Sequence, residues 1–484
     1  MAGLAGVPLL RAEDKPTEKR VDPSEKLRVA VVGVNGRGMS HVGGFNGVNG
    51  CEIVTVCDCD EAVIGNAMAA IEKKSGKKPK YEKDVRKVVE DKNIDIVAIA
   101  TPNHWHSLAG IWAMQNGKDV YVEKPVSHNV HEGRILSEVA KQMKRICQCG
   151  TQSRSNTGMR DSIKWIHDGK IGKVSLAYAT CYKRRGSIGK VEQEQAIPKS
   201  IDYDLWCGPA PMLPLMRKKL HYDWHWTWAY GNGDLGNQGI HEMDKARWGL
   251  NKSQVPNSVV SLGGRFGYVD DGQTANTQLC IFDYGDSHLV FDVRGLESIS
   301  PFPQDQGKNP PKAGGNFVGN IWYGSEGIVV CPSYNSGIVL DNDLKEIKKF
   351  GGGGDAAHFE NFVKAVRSRK PSDLNAEVTE GHLSSALCHL GNISYRLGKS
   401  MNIGEAEGFT KLDSAKQAYG RMIEHLKANK VDVTTVKGLV GATLQLDPKT
   451  ERFTGGAPAE VLKNANDMLF REYRKGFEVK EVSA

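Results

Sequence analysis

The chain has 484 residues, 39% apolar and 25% charged, proportions of a folded globular protein that exclude a disordered or fibrous chain and, at this length, imply two or three domains. Its 64 basic and 57 acidic side chains leave a formal charge of +7 spread without like-charge blocks, a slight bias toward anionic small partners such as phosphates and no footprint for nucleic acid. No run of about 18 uncharged apolar residues appears, so no membrane span is expected.

The chain opens on "MAGLAGVPLLRAED", a short apolar stretch followed by a charged segment. Residues 1–26 read either as the remnant of a signal peptide or as a disordered arm, and the fold argument starts after them. "LRVAVVG", residues 27–33, is an apolar run of strand length, and "VNGRGMSHVGGF" follows it as a glycine loop and a helix start. "CEIVTVCDCD" and "EAVIGNAMAAIEKKSG" give a second strand and helix. "IDIVAIATPNHWH" and "SLAGIWAMQNG" give a third pair, and "DVYVEKP" another strand. Strands alternating with helices predict βαβ units around a parallel sheet. "RICQCGTQ", residues 145–152, is its last strand, which puts a domain boundary near Gly150.

The pattern then changes. "KVSLAYATCYKR", "PNSVVSLGGRFGYV", "NTQLCIFDYG", "SHLVFDVRG", "NIWYGSEGIVVCP" and "SGIVLDN" predict a mostly antiparallel sheet. Helices over "DAAHFENFVKAVRSRK" and "NAEVTEGHLSSALCHLGNISYRLGK" follow a glycine tract at 351–354. Residues 151–430 read as this second domain, and residues 431–484 as an extension packed on it, with a strand patch and a helix. The ten cysteines lack zinc-finger or C-x-x-C spacing, and several lie in apolar runs where a buried free thiol is the plain reading.

A dinucleotide pyrophosphate needs a tight turn, close backbone approach and a helix N-terminus aimed at its charge. Gly33, Gly36 and Gly38 supply the glycines; Asn35 stands where G-x-G-x-x-G has its second one, and asparagine tolerates left-handed backbone. Asp58, ending the second strand, is the acid expected on the adenine ribose, so NAD is favoured over NADP, with Arg37 partly offsetting the repulsion of an extra phosphate. Thr101, Pro102, Asn103 and His106 fall at the C-terminal edge of one parallel strand, and Glu123 and Lys124 at the edge of another, where ligands of such sheets gather. Lys124 is placed to face the nicotinamide and a substrate hydroxyl.

"LGNQGIHEMD", residues 235–244, gathers Asn237, His241 and Asp244. It lacks H-E-x-x-H spacing, so no metal site is expected. "HYDWHWTWAY", residues 221–230, offers flat rings that suit sugar faces, which makes Trp224, Trp228 and Tyr230, with Asp244, the candidate substrate contacts; core packing competes for the same rings. His382 and His389 share a helical face, where burial is more usual than ligation.

Together "VVGVNGRG", "VCDCD", "ATPNHWH", "VEKP", "GTQSRS", "LWCGPAP" and "GIHEMDKARWGL" resemble the Gfo/Idh/MocA oxidoreductase family, in consistent order from about residue 27 to 470. The resemblance implies a Rossmann doubly wound parallel sheet and a C-terminal α/β domain whose large, mostly antiparallel open sheet covers the active site and commonly forms a homo-oligomer interface, in a dimer or tetramer. It also implies hydride transfer between a sugar, polyol or glycoside carbinol and a nicotinamide, exchangeable or tightly retained. Lys124 matches the family's EKP lysine, and His241 its active-site histidine, the expected acid/base. Asn237 stands where many members have an aspartate, and an amide cannot accept a proton. Two other readings stay open: glycoside cleavage by transient oxidation with retained NAD, and a noncatalytic nucleotide- or sugar-binding protein. Many members are exported by a twin-arginine signal, which would make this chain periplasmic if residues 1–26 are a truncated signal, and cytoplasmic otherwise.

Overall fold

The computed structural model describes residues 25–305 and 312–482. The signal-peptide reading, up to residue 24, lies outside them. Among the described residues no helix is long and apolar enough to cross a membrane.

The first sheet is built from strands β1 (Leu27–Val32), β2 (Cys51–Cys57), β3 (Lys80–Glu82), β4 (Ile96–Ile99), β5 (Asp119–Val122) and β6 (Cys147–Cys149), in the order β3-β2-β1-β4-β5-β6. Every pairing is parallel. Helices α1 (Arg37–Gly47), α2 (Gly65–Ser75), α3 (Val85–Glu90), α4 (Asn103–Gln115) and α5 (Val130–Gln142) connect the strands. With helices on both faces, β4 and β5 are buried at every position, and β4 accordingly reads as a continuous aliphatic run. Strand order reverses between β1 and β4, and that switch point opens a crevice at the strands' C-terminal ends.

The second sheet has twelve strands: β7 (Val174–Tyr182), β8 (Ser258–Gly264), β9 (Thr277–Asp283), β10 (His288–Arg294), β11 (Phe317–Gly324), β12 (Ile328–Cys331), β13 (Ser336–Leu340), β14 (Glu346–Gly351), β15 (Lys399–Asn402), β16 (Lys437–Val440), β17 (Leu444–Asp447) and β18 (Arg452–Gly455). Only β7 and β10 pair in parallel; the remaining ladders are antiparallel. The period of two sorts β7: Ala177, Ala179 and Cys181 face a core shared with α6 (Thr157–His167), α8 (Ile240–Gly249) and α10 (Val378–Arg396). Tyr178 and Tyr182 face the opposite core, closed by α11 (Asp413–Ala428) through Ala415, Ala418, Met422 and Leu426.

Two placements depart from the sequence reading. Helix α11, which the hydrophobic pattern does not announce, covers from within the chain part of the sheet face that the resemblance assigns to oligomer contact. The C-terminal extension does not stay on the second domain. Its β17, β18 and α12 (Ala459–Asp467) pack there, but Phe477 and Val479 enter the core of the first domain, where Phe477 sits edge-on to Trp105 at 5.7 Å. The helix Asp355–Ser368, α9, likewise returns to the first sheet, stacking Phe359 on Tyr121 at 4.9 Å. Apolar partners available in three dimensions, not chain proximity, decide where such amphipathic pieces dock.

Between β7 and α8 the chain makes a long excursion with only one short helix, α7 (Tyr203–Cys207), and it carries its own small core around Trp206, Leu215, Leu220 and Tyr230. Loops of such length inside compact domains are usually functional. This one lies over the crevice.

Candidate active site

A cleft of 640 Å³ runs from the glycine loop after β1 to the turn before α8. At its first end Gly33 and Gly36 adopt φ of 81° and 99°, angles that side chains other than glycine rarely take. A Cβ at Gly33 would lie 2.8 Å from the Ala100 backbone, and one at Gly38 would lie 1.8 Å from the Gly33 carbonyl oxygen. A Cβ at Gly36 would meet only open space. Gly33 and Gly38 therefore let strand, turn and helix close up, while Gly36 leaves room in front of the α1 N-terminus, which no side chain caps. That arrangement fits a pyrophosphate. Asn35 needs no left-handed conformation: its φ is negative, so a non-glycine residue enters the loop unstrained and the expected tolerance is not used.

Asp58 accepts the Val34 N–H at 2.8 Å and the Asp60 N–H at 3.0 Å, tying the loop to the end of β2 while lining the cleft. Burial pushes its carboxyl up, against the pull of those two hydrogen bonds. Arg37 is turned away from this acid. It donates to Glu123 at 2.9 Å and to Asp355 at 3.0 Å, and its Nη2 is buried without a partner. The offset to ribose-phosphate repulsion expected of Arg37 is thus spent on carboxylates. Burial opposes ionisation of Glu123, but Arg37 and His41, the latter 3.1 Å away, outweigh it and hold its carboxyl well below the usual range.

Thr101, Pro102 and Asn103 line the cleft where β4 ends, and Asn103 donates to the side chain of Asn232 at 3.0 Å. His106 also borders the cleft, yet its ring nitrogens lie 2.6 Å from the Pro125 carbonyl and 2.7 Å from the Thr101 carbonyl. It braces the two strand ends.

At the far end Lys124 donates to the main-chain carbonyl of Asn237 at 2.7 Å. Asn237 sits in a wide π-turn, Leu235–Gly239, that runs into α8, so its side-chain amide and the His241 ring both line the cleft. Neither side chain has a hydrogen-bond partner among the described residues. Burial, and then Lys124, hold the His241 imidazole well below its usual pKa, so it is neutral near pH 7. Burial likewise lowers the Lys124 amine, against the pull of Glu123. A neutral imidazole and a lowered amine beside one cleft end can accept and return a hydroxyl proton.

The candidate substrate contacts divide. Trp224 lines the cleft, its ring 3.7 Å from that of His225. Trp228 lies outside, under the Arg396 guanidinium at 4.8 Å. Tyr230 is buried beside Trp206 and donates to the Pro211 carbonyl at 3.0 Å. Asp244 is buried in an ion pair with Arg154, at 2.8 Å. None of these three lines the cleft, and each has polar atoms or a ring face engaged elsewhere in the protein. His382 and His389 are buried, bonded to Glu451 at 2.8 Å and Ser127 at 3.1 Å.

Several lining residues escaped the sequence reading. Tyr334, in the turn between β12 and β13, packs its ring 5.0 Å from His241 and accepts a hydrogen bond from Gln238. Gln152, inside the quoted "GTQSRS", donates to Glu123 at 3.1 Å. His221 and His225 complete the wall. Tyr334 carries no local signal, since only closure of the second sheet brings its turn to the cleft.

Comparison with known proteins matches residues 27–151 to "Oxidoreductase family, NAD-binding Rossmann fold" and residues 156–273 to "Oxidoreductase family, C-terminal alpha/beta domain", the two parts of the GFO_IDH_MocA family. A glycosyl hydrolase family 109 protein 1 from Shewanella sp. (strain ANA-3) is 35% identical over 127 residues, 25% of this chain and 28% of that protein. An alpha-N-acetylgalactosaminidase from Shewanella oneidensis is 34% identical over 127 residues, again 25% and 28%. The matched stretch thus spans under a third of these relatives. The WlbA dehydrogenase from Bordetella pertussis, solved with NADH and UDP-GlcNAcA, shares the fold at 17% identity and a TM-score of 0.53, covering 76% of this chain and 97% of that one.

Proposed function

This chain belongs to the Gfo/Idh/MocA oxidoreductase family, and from that premise we propose that it is an NAD-dependent enzyme acting on a CH–OH group of a sugar, polyol or glycoside. The observation that carries the reading is the meeting of Lys124, Asn237 and the neutral His241 at the end of a cleft whose other end is a pyrophosphate cradle. The cofactor would be held by Gly33, Gly36, the α1 N-terminus and Asp58, and when bound it supplies the hydride acceptor. His241 takes the hydroxyl proton, Lys124 polarises the same oxygen, and Asn237 holds a neighbouring hydroxyl through its free amide. Trp224 offers a flat face to the ring. Asp58 favours NAD over NADP, since its carboxylate would face the extra phosphate and Arg37 is already paired. A homo-oligomer, dimer or tetramer, belongs to the same proposal, and with α11 on part of the outer sheet face it would use what that helix leaves uncovered.

A second reading is favoured by the names of the two Shewanella relatives: glycoside cleavage with no net redox change. One experiment separates them. Nucleotide released by denaturation is identified by mass spectrometry, and the native protein is then incubated with a glycoside panel while NADH absorbance and free aglycone are followed. NADH growing in step with a keto-sugar supports dehydrogenation. Retained NAD with aglycone release and no NADH replaces it by cleavage. NAD bound with no turnover on any panel member, unchanged in Lys124→Ala, would leave a binding protein.

A further inference from the structure

A second cavity, of 460 Å³, opens on the other side of Tyr222, which lines both it and the main cleft. Two basic stretches face each other across it: "RRGSIG", residues 184–189, leaving β7, and Lys218 with Lys219 from the excursion. Arg184, Lys218 and Lys219 are exposed, and none has an ion-pair partner among the described residues. The Lys218 amine is drawn in over Gly189, where a Cβ would lie only 2.8 Å from it. Among the described residues that line it, Asp223 is the only acidic one, so cationic charge is in excess. Arg185 plays a different part. Its charge is met by Asp234 at 2.5 Å, and from there it donates to the Tyr222 hydroxyl at 3.1 Å and stands 5.1 Å over the Trp226 ring.

Tyr222 itself is held at φ 65°, ψ −50°, a sparsely populated region for a residue with a side chain. Such strain persists only where the surroundings fix it, and it clusters at ligand sites. Here it sets an aromatic partition between two cavities, with a second ring, Trp226, on the wall of the outer one. Flat rings beside converging cations suit a sugar ring that bears an oxyanion, because each half of the ligand finds its complement.

We propose that this outer cavity is a second carbohydrate subsite, selecting substrates whose unit next to the reacting one carries a sulfate or carboxylate group. The inference rests on the carbohydrate reading of the main cleft. Lys218 and Lys219 meet the oxyanion from one loop and Arg184 from the other, while the exposed Tyr222 ring packs against the sugar and Trp226, buried under Arg185, backs the wall.

The test titrates the full chain, saturated with NADH, with lactose, 3′-sulfolactose and 3′-sialyllactose, read by tryptophan fluorescence. The charged probes are expected to bind at least about tenfold more tightly than lactose. Comparison of sulfolactose with sialyllactose tells which oxyanion the cavity prefers. Lys218→Glu with Lys219→Glu is expected to abolish the advantage while leaving lactose and NADH binding unchanged. Lys73→Glu with Lys74→Glu, the same charge change at exposed positions on α2, is expected to preserve it. No advantage for the charged probes, or an advantage that survives reversal at 218 and 219 or vanishes equally in the α2 control, overturns the subsite. Failure of the carbohydrate reading looks different: no sugar, neutral or charged, binds while NADH still does, and both readings fall together.

Discussion

The Lys124 amine and the Asn237 carbonyl, 2.7 Å apart, join the end of β5 to the π-turn before α8, so one charged hydrogen bond couples the nucleotide-binding domain to the turn that delivers His241. Lys124 therefore has two separable roles, anchoring and proton handling. Lys124→Arg keeps a cation able to reach the carbonyl but cannot lose a proton. If Lys124 handles the proton, the arginine variant falls about 10²- to 10⁴-fold in kcat, as far as Lys124→Met, with NADH affinity held. Recovery of most activity in Lys124→Arg would leave Lys124 as the anchor and as a fixed cation that polarises the reacting oxygen, with the proton carried by His241 alone.

His241 makes a pH prediction. Burial first, and Lys124 second, hold its imidazole well below the usual value near 6.5, so the base form persists on acidification. The value of kcat/KM should stay level as pH falls through 6.5 and decline only below it. His241→Gln should lose that acidic limb together with most of the rate. A limb centred at or above 6.5 in the wild type would show that the imidazole is not so held.

The glycines of the first loop separate folding from binding. At Gly33 a Cβ collides with the Ala100 backbone and φ is 81°, so Gly33→Ala should lower stability by more than the roughly 1 kcal/mol of the conformational term alone. At Gly36 the space is open, so Gly36→Ala should cost about 1–2 kcal/mol through its φ of 99° while weakening NADH binding. Thermal unfolding with and without NADH reads both. Undiminished NADH affinity in Gly36→Ala would remove Gly36 from the cradle.

Much of this was legible because the relevant signals are local. The strand-length, largely apolar runs of β1, β4 and β5, the glycines between β1 and α1, and the acid ending β2 are local signals in sequence, and parallel-sheet geometry alone brings their ends together. What failed was long-range. Tyr334 reaches the cleft only after β12 and β13 pair, and Phe477 reaches Trp105 from the far end of the chain. Helix α11 has polar residues enough to pass for a surface segment until the sheet supplies Tyr178, Ile281 and Val290 as its partners. The aromatic run at 221–230 misled for the opposite reason: its rings share a composition, but Trp224 lines the cleft while Tyr230 is buried.

Buried neutral histidines should make the protein acid-labile. Burial lowers His104 and His389 to about 3 and His358 to about 4. Their folded pKa values lie below the unfolded value near 6.5, so the unfolded chain binds more protons as pH falls, and stability present above 6.5 is lost below it. At pH 6 the loss is about 0.8 kcal/mol per group, or about 2–3 kcal/mol for the three. Urea unfolding at pH 7.5 and pH 6 checks the sign and scale. Unchanged stability would mean that these rings take up protons in the folded state.

The Arg154–Asp244 pair tests whether the aspartate of "HEMD" belongs to substrate or to scaffold. Its carboxylate receives both Nε, at 2.8 Å, and Nη2, at 2.9 Å, of Arg154 and the hydroxyl of Ser384 at 2.7 Å, with both charged residues buried. Both of its oxygens thus accept from inside the protein, and it does not line the cleft. Asp244→Ala leaves the Arg154 guanidinium buried with Glu380 as its remaining acid partner, at 3.0 Å, and should destabilise the fold by about 3–5 kcal/mol. Replacing both members, Arg154→Met with Asp244→Leu, removes the stranded charge and should recover part of that loss. Folded variants should retain the wild-type KM, because the pair braces α8 and not the substrate. A KM raised tenfold in a variant of near-native stability would return Asp244 to the binding site.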